Sequence, residues 1–469
     1  MRPFVSIIVL NYNGERFLSQ CLSSLENVNY PKDRHEVIVV DNASSDGSMP
    51  LIRQAFPWVR VIRNPENFGF SRGNNVGIKA GKGEFIALLN NDTYVAPDWL
   101  SALVAAAARD LRVGLCTSKI YLFDRRVELA LSCAPFSPAA VSGLNDRRKL
   151  GVCIESAKVV GGAGEVEFLG GFYPVETRGE ESARWSSGSA LIGIPVSGDE
   201  TEVLLEISFA PYRPREADPL NLEIRAVRDS TLLFRLAATK EELPKNCRVV
   251  LGREVVATAR PVIQNAGSII FPDGSGRDRG AVVQGTHQYY ESDLGQYDAS
   301  EEVFGACGAS MLMRREMLED AGLLDESFFM YYEDTDLSWR ARLRGWKVVY
   351  VPSSIVWHAH CGTSVEWSPF FVFHTDRNRL AMVAKNGTIA QVLATWVEYF
   401  CTTVLGCGRL LLQRLRLSPS KELEGRVFIK LKVVLSLVRS LPHLLSQRWK
   451  IQRGKSVGHK EIARWFHPK

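Results

Sequence analysis

Buried strand patterns alternate with helix patterns through the first hundred or so residues of this 469-residue chain. Residues 4–10, 36–40 and 84–89 are predominantly apolar, as expected for strands that are buried on both faces. Between them, residues 15–28 place apolar side chains at helical spacing, and Pro97 marks the start of a further helix. This rhythm restricts the chain to βαβ units and predicts an α/β fold with a parallel sheet and right-handed crossovers.

The pattern changes between residues 127 and 258. Apolar and polar residues alternate there, as in 203–209 and 220–225, and clusters of Pro, Gly and Asp separate the alternating runs. Strict alternation is typical of antiparallel strands with one buried face, so this region predicts an antiparallel β-sandwich.

The mixed pattern returns after residue 261, with an apolar run at 309–313, a helix from about 334 to 343 and a strand at 347–351 followed by a break at Pro352. A sheet that stops before a foreign module and resumes after it indicates an insertion into a loop. We therefore expect four regions, listed here in chain order: the N-terminal half of an α/β domain (1–126), an inserted β-sandwich (127–258), the C-terminal half of the α/β domain (259–384) and a basic helical tail (385–469).

The positive charge of the chain is concentrated near its C-terminus. Residues 401–469 contain 15 Lys and Arg against 3 Asp and Glu, so they contribute +12 to a total of +5 and leave −7 for the rest. Such a tail could bind an anionic membrane surface, or it could be a solvated helical face packed on the core through Phe428, Leu431, Val434, Leu435 and Val438. The acidic remainder makes nucleic acid a poor partner.

Residues 388–408 are apolar but contain Gln391 and Glu398, and an ionisable group is costly inside a bilayer. We therefore expect an interfacial or buried helix there rather than a transmembrane one. The nine scattered cysteines are odd in number and lack CxxC spacing, which favours a reducing compartment. The apolar run 5–10 is too short for a signal peptide, so the expected location is cytoplasmic, with peripheral attachment to the inner face of the plasma membrane as one option.

Polar residues follow the predicted strands at the carboxyl ends, where α/β sheets bind ligands. They are Asn11 and Tyr12 after the first strand, Asp41 and Asn42 after the second, and Asn91 and Asp92 after the strand at 84–89. A carboxylate at Asp41 could accept from a base or a ribose hydroxyl, and Asp92 could hold Mg²⁺ or Mn²⁺ against a diphosphate. Each could instead be an ordinary capping residue.

Two further groups lie downstream. Glu333, Asp334 and Asp336 stand at a predicted helix start behind the aromatic run 328–332. The helix dipole alone favours acidic residues there, but aromatic shielding would raise a carboxylate pKa and suit a general base. His358 and His360 follow the strand at 347–351, and His358 could join Asp92 in binding a metal or could be a structural histidine.

These residues occur in seven motifs that resemble family 2 glycosyltransferases of the GT-A fold, particularly bacterial rhamnosyltransferase-like members. The motifs, in family order, are VSIIVLNYNG (5–14), VVDNASSDGS (39–48), NFGFSRGNN (67–75), LLNNDT (88–93), FGACG (304–308), YEDTDL (332–337) and WH (357–358). They span roughly half of the chain and lie on both sides of the expected insertion, so the resemblance implies a Rossmann-like GT-A domain.

The resemblance implies a role for each matching residue. Tyr12 and Asp41 would hold the base and ribose of a nucleoside-diphosphate sugar, with Arg72 and Asn91 beside the nucleotide. Asn11, Asn42 and Asn75 belong to the same expected binding set.

For the metal and the chemistry, the resemblance implies that Asp92 ligates Mg²⁺ or Mn²⁺. Asn90 replaces the first Asp of the DxD motif of the family, and His358 would compensate as a second ligand. Asp334, beside Glu333, would be the catalytic base of a single displacement with inversion.

The implied activity is transfer of a sugar, with rhamnose as the first guess, to a glycan or lipid-linked glycan in cell-surface polysaccharide synthesis. A sugar nucleotidyltransferase is the first alternative, although such enzymes carry a Gly-rich basic loop where this chain has Asn11-Tyr12-Asn13. A non-catalytic glycan-binding protein is the second alternative. The expected sandwich could contribute an aromatic sugar platform around Tyr173 and Trp185, although such residues in a small sandwich are more often core.

Overall fold

The computed structural model describes residues 2–143, 145–162, 164–178, 181–197, 199–217, 219–284, 287–359, 367–415 and 420–468, and His360 lies outside these ranges. Two compact units are present. Unit 1 comprises Met1–Tyr121, Asn265–Arg279 and Gly295–Lys469, and unit 2 comprises Leu122–Gln264 and Gly280–Leu294.

The strands, in chain order, are β1 Val5–Asn11, β2 His35–Asp41, β3 Arg60–Arg63, β4 Phe85–Asn90, β5 Thr93–Val95, β6 Val113–Cys133, β7 Cys153–Val159, β8 Glu167–Phe172, β9 Glu176–Arg178, β10 Glu181–Val196, β11 Glu202–Phe209, β12 Leu220–Ala226, β13 Leu232–Ala238, β14 Asn246–Gly252, β15 Arg260–Asn265, β16 Ser268–Ile270, β17 Gly276–Asp278, β18 Ala281–Gln284, β19 His287–Ser292, β20 Glu301–Glu302, β21 Ser310–Arg314 and β22 Lys347–His358.

The helices are α1 Glu15–Glu26, α2 Ser48–Ala55, α3 Gly69–Ala80, α4 Trp99–Ala108, α5 Pro138–Ser142, α6 Arg253–Val256, α7 Arg315–Ala321, α8 Glu333–Leu343, α9 Pro369–Asn386, α10 Ile389–Leu415, α11 Lys421–Gly454 and α12 His459–Ile462.

Unit 1 is built on a mixed sheet, which confirms the α/β prediction. Strands β3, β2, β1 and β4 run parallel in that order, and β21 pairs antiparallel with both β4 and the first part of β6. The strands β1, β2 and β4 are buried almost throughout because their apolar runs face helices on both sides of the sheet. The register aligns Asn11 with Asp41 and Leu10 with Asn90, so the polar residues that end these strands share one edge.

Strand β22 is longer than the sequence predicts. The expected break at Pro352 does not occur, because the strand continues to His358. Pro352 lies between the antiparallel pairing of Tyr350 with Glu301 and that of Val356 with Val95, so the N–H that proline lacks is not needed by either pairing. The continuation carries His358 to a position opposite Thr93.

Unit 2 is antiparallel and has a core of its own. One layer contains β8, β10, β12 and β13 with the second part of β6, and the other contains β7, β11 and β14. Alternate residues of both layers, such as Leu205 and Ile192, meet in one buried cluster. Gly280–Leu294, which lies in the segment 259–384 of the sequence analysis, belongs to unit 2 because β19 pairs with β15 and β18.

The C-terminal region is helical, as predicted, and it packs into unit 1. A buried cluster joins Trp339 of α8, Leu380 of α9 and Val433 and Leu437 of α11. Helix α10 is long and apolar enough to cross a membrane by length and composition, with a mean hydropathy of 1.2, yet only 17% of its most apolar window is buried. The alternative that this segment is a buried helix is therefore wrong.

Candidate active site

Three strand-end side chains form one hydrogen-bonded network at the carboxyl edge of the parallel strands. The Asn11 amide is fully buried; its Nδ2 donates to Asp41 Oδ1 over 3.3 Å, and its Oδ1 accepts from Asn91 Nδ2 over 2.9 Å. Parallel strands in this register bring their last residues together, so residues 80 positions apart meet. The structure thus brings together the end residues of β1 and β2 and the loop after β4.

Asp41 is fully buried and held from several sides. Its two carboxylate oxygens accept from the backbone N–H of Ser44 over 3.3 and 3.2 Å, and Arg63 Nε lies 3.3 Å from Oδ2. The turn around it is strained, because Ala43 has a φ of +60° and Asn13 a φ of +50°. Tyr12 lies between these turns and is exposed, so its ring is free to contact a ligand at this edge.

Asn42 and Arg72 shape the neighbouring loop. Asn42 Nδ2 donates to Asn67 Oδ1 over 3.2 Å and to the Gly69 carbonyl over 3.0 Å, which fixes the turn into α3. Arg72 is half exposed, and its guanidinium lies 3.4 Å from the centre of the Phe68 ring. A cation in this position can reach a phosphate or ribose without leaving a buried charge behind.

Asn75 points away from the strand-end network. Its Nδ2 donates to the Leu324 carbonyl over 2.9 Å and to Glu326 Oε1 over 3.0 Å. These bonds tie α3 to the segment between α7 and α8, so the amide of Asn75 holds two elements of unit 1 together.

Asp92 and His358 form a close pair. The Asp92 Oδ1 atom lies 3.2 Å from His358 Nε2, both side chains are nearly buried, and Asn90 Nδ2 lies 3.5 Å from the same imidazole nitrogen. A carboxylate and an imidazole suit a divalent ion such as Mn²⁺. Within the described ranges no group of three or more His, Cys, Asp or Glu forms a metal site, so diphosphate oxygens and water would have to complete the coordination.

Helix α8 begins with two carboxylates whose pKa values are raised. Burial, with the Asp334 charge next in importance, raises the pKa of Glu333 well above its usual value, and burial also raises the pKa of Asp334. The residues before them, Tyr331 and Tyr332, have φ values of +72° and +69°, which is costly for aromatic residues. A raised pKa in a strained segment is the environment in which a carboxylate serves as a proton acceptor near neutral pH.

The two carboxylates differ in their partners. Asp334 Oδ2 accepts from the Gly308 N–H over 2.8 Å, and Oδ1 accepts from the Thr335 N–H over 2.6 Å and from the Thr335 hydroxyl over 3.1 Å. Glu333 is buried, and no partner among the described residues hydrogen-bonds its Oε2. Asp336, two residues on, is fully buried against Arg340 at 2.9 Å and Lys385 at 3.0 Å and is therefore structural.

The segment 307–309 connects the two parts of the site. Ala309 accepts a backbone hydrogen bond from Asn90 at the end of β4 over 3.0 Å. Gly308 donates its N–H to Asp334 at the start of α8. Phe70, at the start of α3, donates its N–H to the Phe329 carbonyl over 2.6 Å and so joins the loop before α8 to the start of α3. Asp334 is therefore held beside the strand ends that carry Asn91 and Asp92.

An aromatic cluster lies next to the start of α8. The rings of Phe329, Phe370 and His374 contact one another with centroid separations between 4.4 and 6.0 Å, and the Tyr331 and Phe371 rings form a separate pair at 4.9 Å. Phe370 is exposed. Exposed aromatic faces beside a proton acceptor can stack on sugar rings. By contrast, Trp185 of unit 2 is buried against Phe136, which matches its interpretation as a core residue.

The sequence analysis missed two contributors to this site. Arg63 ends β3 in register with Asp41, so the strand-end criterion that selected Asp41 could also have selected it. Gly308 acts through its backbone N–H, for which the sequence carries no signal apart from its place in the FGACG motif.

Comparisons with known proteins give family matches on both sides of the segment 150–276. Residues 6–149 match the family described as Glycosyl transferase family 2, and residues 277–380 match Glycosyltransferase like family 2. Over 101 residues, 21% of this chain and 33% of the relative, the chain is 35% identical to the Haloferax volcanii protein named Glycosyltransferase AglE. It is 30% identical over 103 residues, 21% of this chain and 18% of the relative, to the Staphylococcus aureus poly(ribitol-phosphate) beta-N-acetylglucosaminyltransferase TarS. The chain thus spans a third or less of the length of these relatives.

Solved structures give weaker similarity. The S. aureus TarS 1–349 structure aligns over 25% of this chain and 35% of its own, with 27% identity and a TM-score of 0.24. The mannosyltransferase PcManGT from Pyrobaculum calidifontis aligns over 94% of this chain and 88% of its own, with 13% identity and a TM-score of 0.39. Because these scores are low, the similarity to glycosyltransferases depends on the family matches and not on the solved structures. Residues 6–149 and 277–380 of this chain are thus similar in sequence to glycosyltransferase family 2.

Proposed function

We propose that this chain is an inverting glycosyltransferase that moves a sugar from a nucleoside-diphosphate sugar to a hydroxyl of a glycan or lipid-linked glycan. The observation that carries the proposal is the placement of Asp334, a carboxylate of raised pKa, beside the strand ends that bear Asn91 and Asp92. A proton acceptor next to a nucleotide-binding edge is what a single displacement at an anomeric carbon requires.

The donor nucleotide is assigned to the strand-end network. Asp41 is buried and negatively charged, so it can accept from the N–H of a base or from a ribose hydroxyl while Tyr12 covers the exposed side. Arg72, whose half-exposed guanidinium lies over the Phe68 ring, is assigned to offset charge on the diphosphate. Because the Asn11 and Asn91 amides are already bonded to each other, this surface needs little reorganisation when the donor binds.

Asp92 and His358 are the residues that would hold a divalent metal, for which Mn²⁺ suits the carboxylate–imidazole pair. Such an ion would offset the charge on the departing diphosphate. Asn90 supplies no charge, so the pair binds with one carboxylate fewer than a DxD motif would offer.

The chemical step is assigned to Asp334. The acceptor oxygen attacks the anomeric carbon from the face opposite the nucleotide and its proton passes to the Asp334 carboxylate. The bond from the anomeric carbon to the phosphate oxygen breaks, and the nucleoside diphosphate leaves with that electron pair. The backbone N–H of Gly308 holds Asp334 in place for this transfer.

The exposed Phe370 and its aromatic neighbours are assigned to the acceptor, because they adjoin the loop that leads into Asp334. Stacking on a sugar ring would orient one hydroxyl toward the carboxylate. This supports a glycan acceptor without fixing its sequence.

The test is to incubate the protein with Mn²⁺ and a panel of nucleotide-sugars, dTDP-rhamnose first, and to measure release of nucleoside diphosphate. Release from one donor supports the proposal. Formation of pyrophosphate from a nucleoside triphosphate would instead indicate a sugar nucleotidyltransferase, and no turnover with any donor while glycans still bind would indicate a binding protein.

A further inference from the structure

Helices α10 and α11 each carry an apolar stripe that faces solvent. Nine large apolar side chains of α10 and seven of α11 are between 40% and 73% exposed. They are Ile389, Leu393, Val397, Phe400, Val404, Leu405, Leu411, Leu412 and Leu415 on α10, and Phe428, Leu431, Leu435, Val438, Leu441, Leu445 and Trp449 on α11. The α11 residues recur every three or four positions, so they form one continuous line along the helix.

These stripes are not the surfaces by which the helices pack on unit 1. The buried residues of α11 are Val427, Val433, Leu437 and Leu444, and those of α10 are Thr395, Tyr399 and Thr403. The two helices contact each other where Lys430 Nζ donates to the Thr402 hydroxyl over 2.9 Å. Each helix therefore has a packed inner face and an apolar outer face. Soluble monomers rarely expose a contiguous apolar patch larger than about a few hundred Å².

Basic side chains flank the outer stripe of α11. Lys432 lies over the Phe428 ring at 4.4 Å, and Arg453 lies over the Trp449 ring at 5.1 Å. Helix α11 has eight Lys and Arg against two Glu. Long cationic side chains that lie along apolar surface while keeping their charge in water are typical of a lipid headgroup boundary, where tryptophan is also favoured.

We propose that helices α10 and α11, residues 389–415 and 421–454 and called the α10–α11 hairpin below, dock the protein on a bilayer that contains anionic lipid, with the two outer stripes entering the headgroup and upper acyl region. The charge decides between the possible occupants. A second copy of the chain would bring the same positive hairpin against itself, whereas anionic headgroups complement both the apolar stripes and their basic rim.

The hairpin lies on the surface rather than across the membrane. Glu398 is an exposed carboxylate in the middle of α10, and burying it in hydrocarbon would be costly. The inner face of α10 is also committed to unit 1, since Tyr399 donates its hydroxyl to Asp376 Oδ2 of α9 over 2.9 Å.

Docking would hold the candidate active site near the lipid. Helix α9 packs between the hairpin and the loop before α8, where Asn378 Nδ2 donates to the Met330 and Tyr331 carbonyls over 2.8 and 2.9 Å. The inference that the active site lies near lipid depends on the proposed function, and it favours the lipid-linked class of acceptor. The docking itself does not depend on catalysis.

The test is flotation of the full-length protein with vesicles of phosphatidylcholine alone and of phosphatidylcholine with phosphatidylglycerol. We expect flotation with the anionic vesicles and weaker flotation with the neutral ones. The double variant Leu431→Glu with Leu435→Glu should lower the vesicle partition coefficient at least about 100-fold, because two apolar side chains leave the lipid. Leu111→Glu, which changes an exposed leucine outside the hairpin, is the matched control and should float like the unmodified protein.

Thermal unfolding and nucleotide-sugar turnover in detergent-free buffer show whether the double variant remains folded, and both should match the unmodified protein. Equal flotation of the double variant and the control would overturn the proposal. So would absence of flotation combined with a dimer, measured by light scattering, that the double variant abolishes, since the stripes would then join two copies. Retention of the protein in membranes after alkaline carbonate extraction would overturn the surface location in favour of a spanning helix. Absence of turnover in unmodified protein that still floats with the anionic vesicles would count against the proposed function alone.

Discussion

The strand ends of unit 1 and the start of α8 both present buried carboxylates, but their charged neighbours differ, because Asp41 lies beside the Arg63 cation and Glu333 lies beside the Asp334 carboxylate. Asp41 is surrounded by donors, with the Ser44 N–H, the Asn11 amide and Arg63 all within 3.3 Å. Glu333 and Asp334 are buried with raised pKa values behind a strained backbone. A satisfied charge is suited to holding a ligand, and a destabilised charge is suited to accepting a proton. In the proposed function, this difference divides the site into a binding half, at the strand ends, and a reacting half, at the start of α8.

The largest expected effect is on the reacting half. Asp334→Asn should lower kcat by about 10²- to 10⁴-fold, because the amide cannot accept the acceptor proton. Glu333→Gln should lower it much less, since burial and the neighbouring charge of Asp334 favour the neutral form of Glu333 that glutamine resembles. Initial rates of nucleoside diphosphate release at saturating donor measure both. Equal losses in the two variants would remove the distinction between the carboxylates.

The buried ion pairs of Lys385 with Asp325 and Asp336 are expected to affect stability rather than the chemical step. Lys385 is buried between Asp325 and Asp336. Burial alone would raise the pKa of Asp325, but the Lys385 ammonium holds that pKa below its usual range. Lys385→Met removes the cation that Asp325 and Asp336 share and leaves Asp336 paired with Arg340 alone. It should lower the free energy of unfolding by about 3–5 kcal/mol.

Denaturant unfolding measures this loss. Lys79→Met, which removes an exposed pair with Glu326 at 3.3 Å, should cost about 0–1 kcal/mol and is the matched control. The stability from Asp325 is present above the unfolded carboxyl pKa and is lost as the pH falls through the folded one. Similar losses in the two variants would show that the buried network is not what stabilises α8.

Asp92 and His358, the proposed metal ligands, are assigned to the boundary between the two halves. Asp92→Ala should raise the Mn²⁺ concentration needed for half-maximal turnover by at least about 10- to 100-fold. The reason is that the variant loses the carboxylate and keeps only the His358 imidazole of the pair. Turnover titrated with Mn²⁺ after treatment with a chelator measures this. Full activity of the unmodified protein in chelator would contradict the metal assignment.

The binding half should respond in KM rather than in kcat. Asp41→Asn removes the charge that Arg63 and the Ser44 N–H now contact, and it should raise the donor KM by about 10-fold while kcat changes little. Donor saturation curves measure the two constants separately. A fall in kcat at unchanged KM would place Asp41 in the reacting half.

The smallest expected effect is a displacement of the pH profile. Because burial raises the pKa of Asp334, kcat should fall as the pH drops through that raised value, so the acid limb lies above the ordinary carboxyl range. Rates measured at saturating donor across the acid range locate the limb. A limb at the ordinary value of a free aspartate would show that Asp334 is solvated in the working enzyme.

The strand ends could be predicted from sequence because parallel strands of similar length must end together, which is why Asn11, Asp41 and Asn91 meet as expected. The direction of Asn75 could not, since its partners Leu324 and Glu326 lie about 250 residues away. The helical tail was predictable from its spacing. The outward stripe of α11 was not, because periodicity marks an apolar face without telling whether protein or lipid covers it.

The most direct test of the division into two halves is to measure donor binding and turnover in the same preparation of the Asp334→Asn variant. Isothermal titration with the donor identified by the nucleotide-sugar panel should give the affinity of the unmodified protein, while nucleoside diphosphate release should be nearly absent. Donor affinity lost together with turnover would contradict this account, because Asp334 would then belong to the binding half.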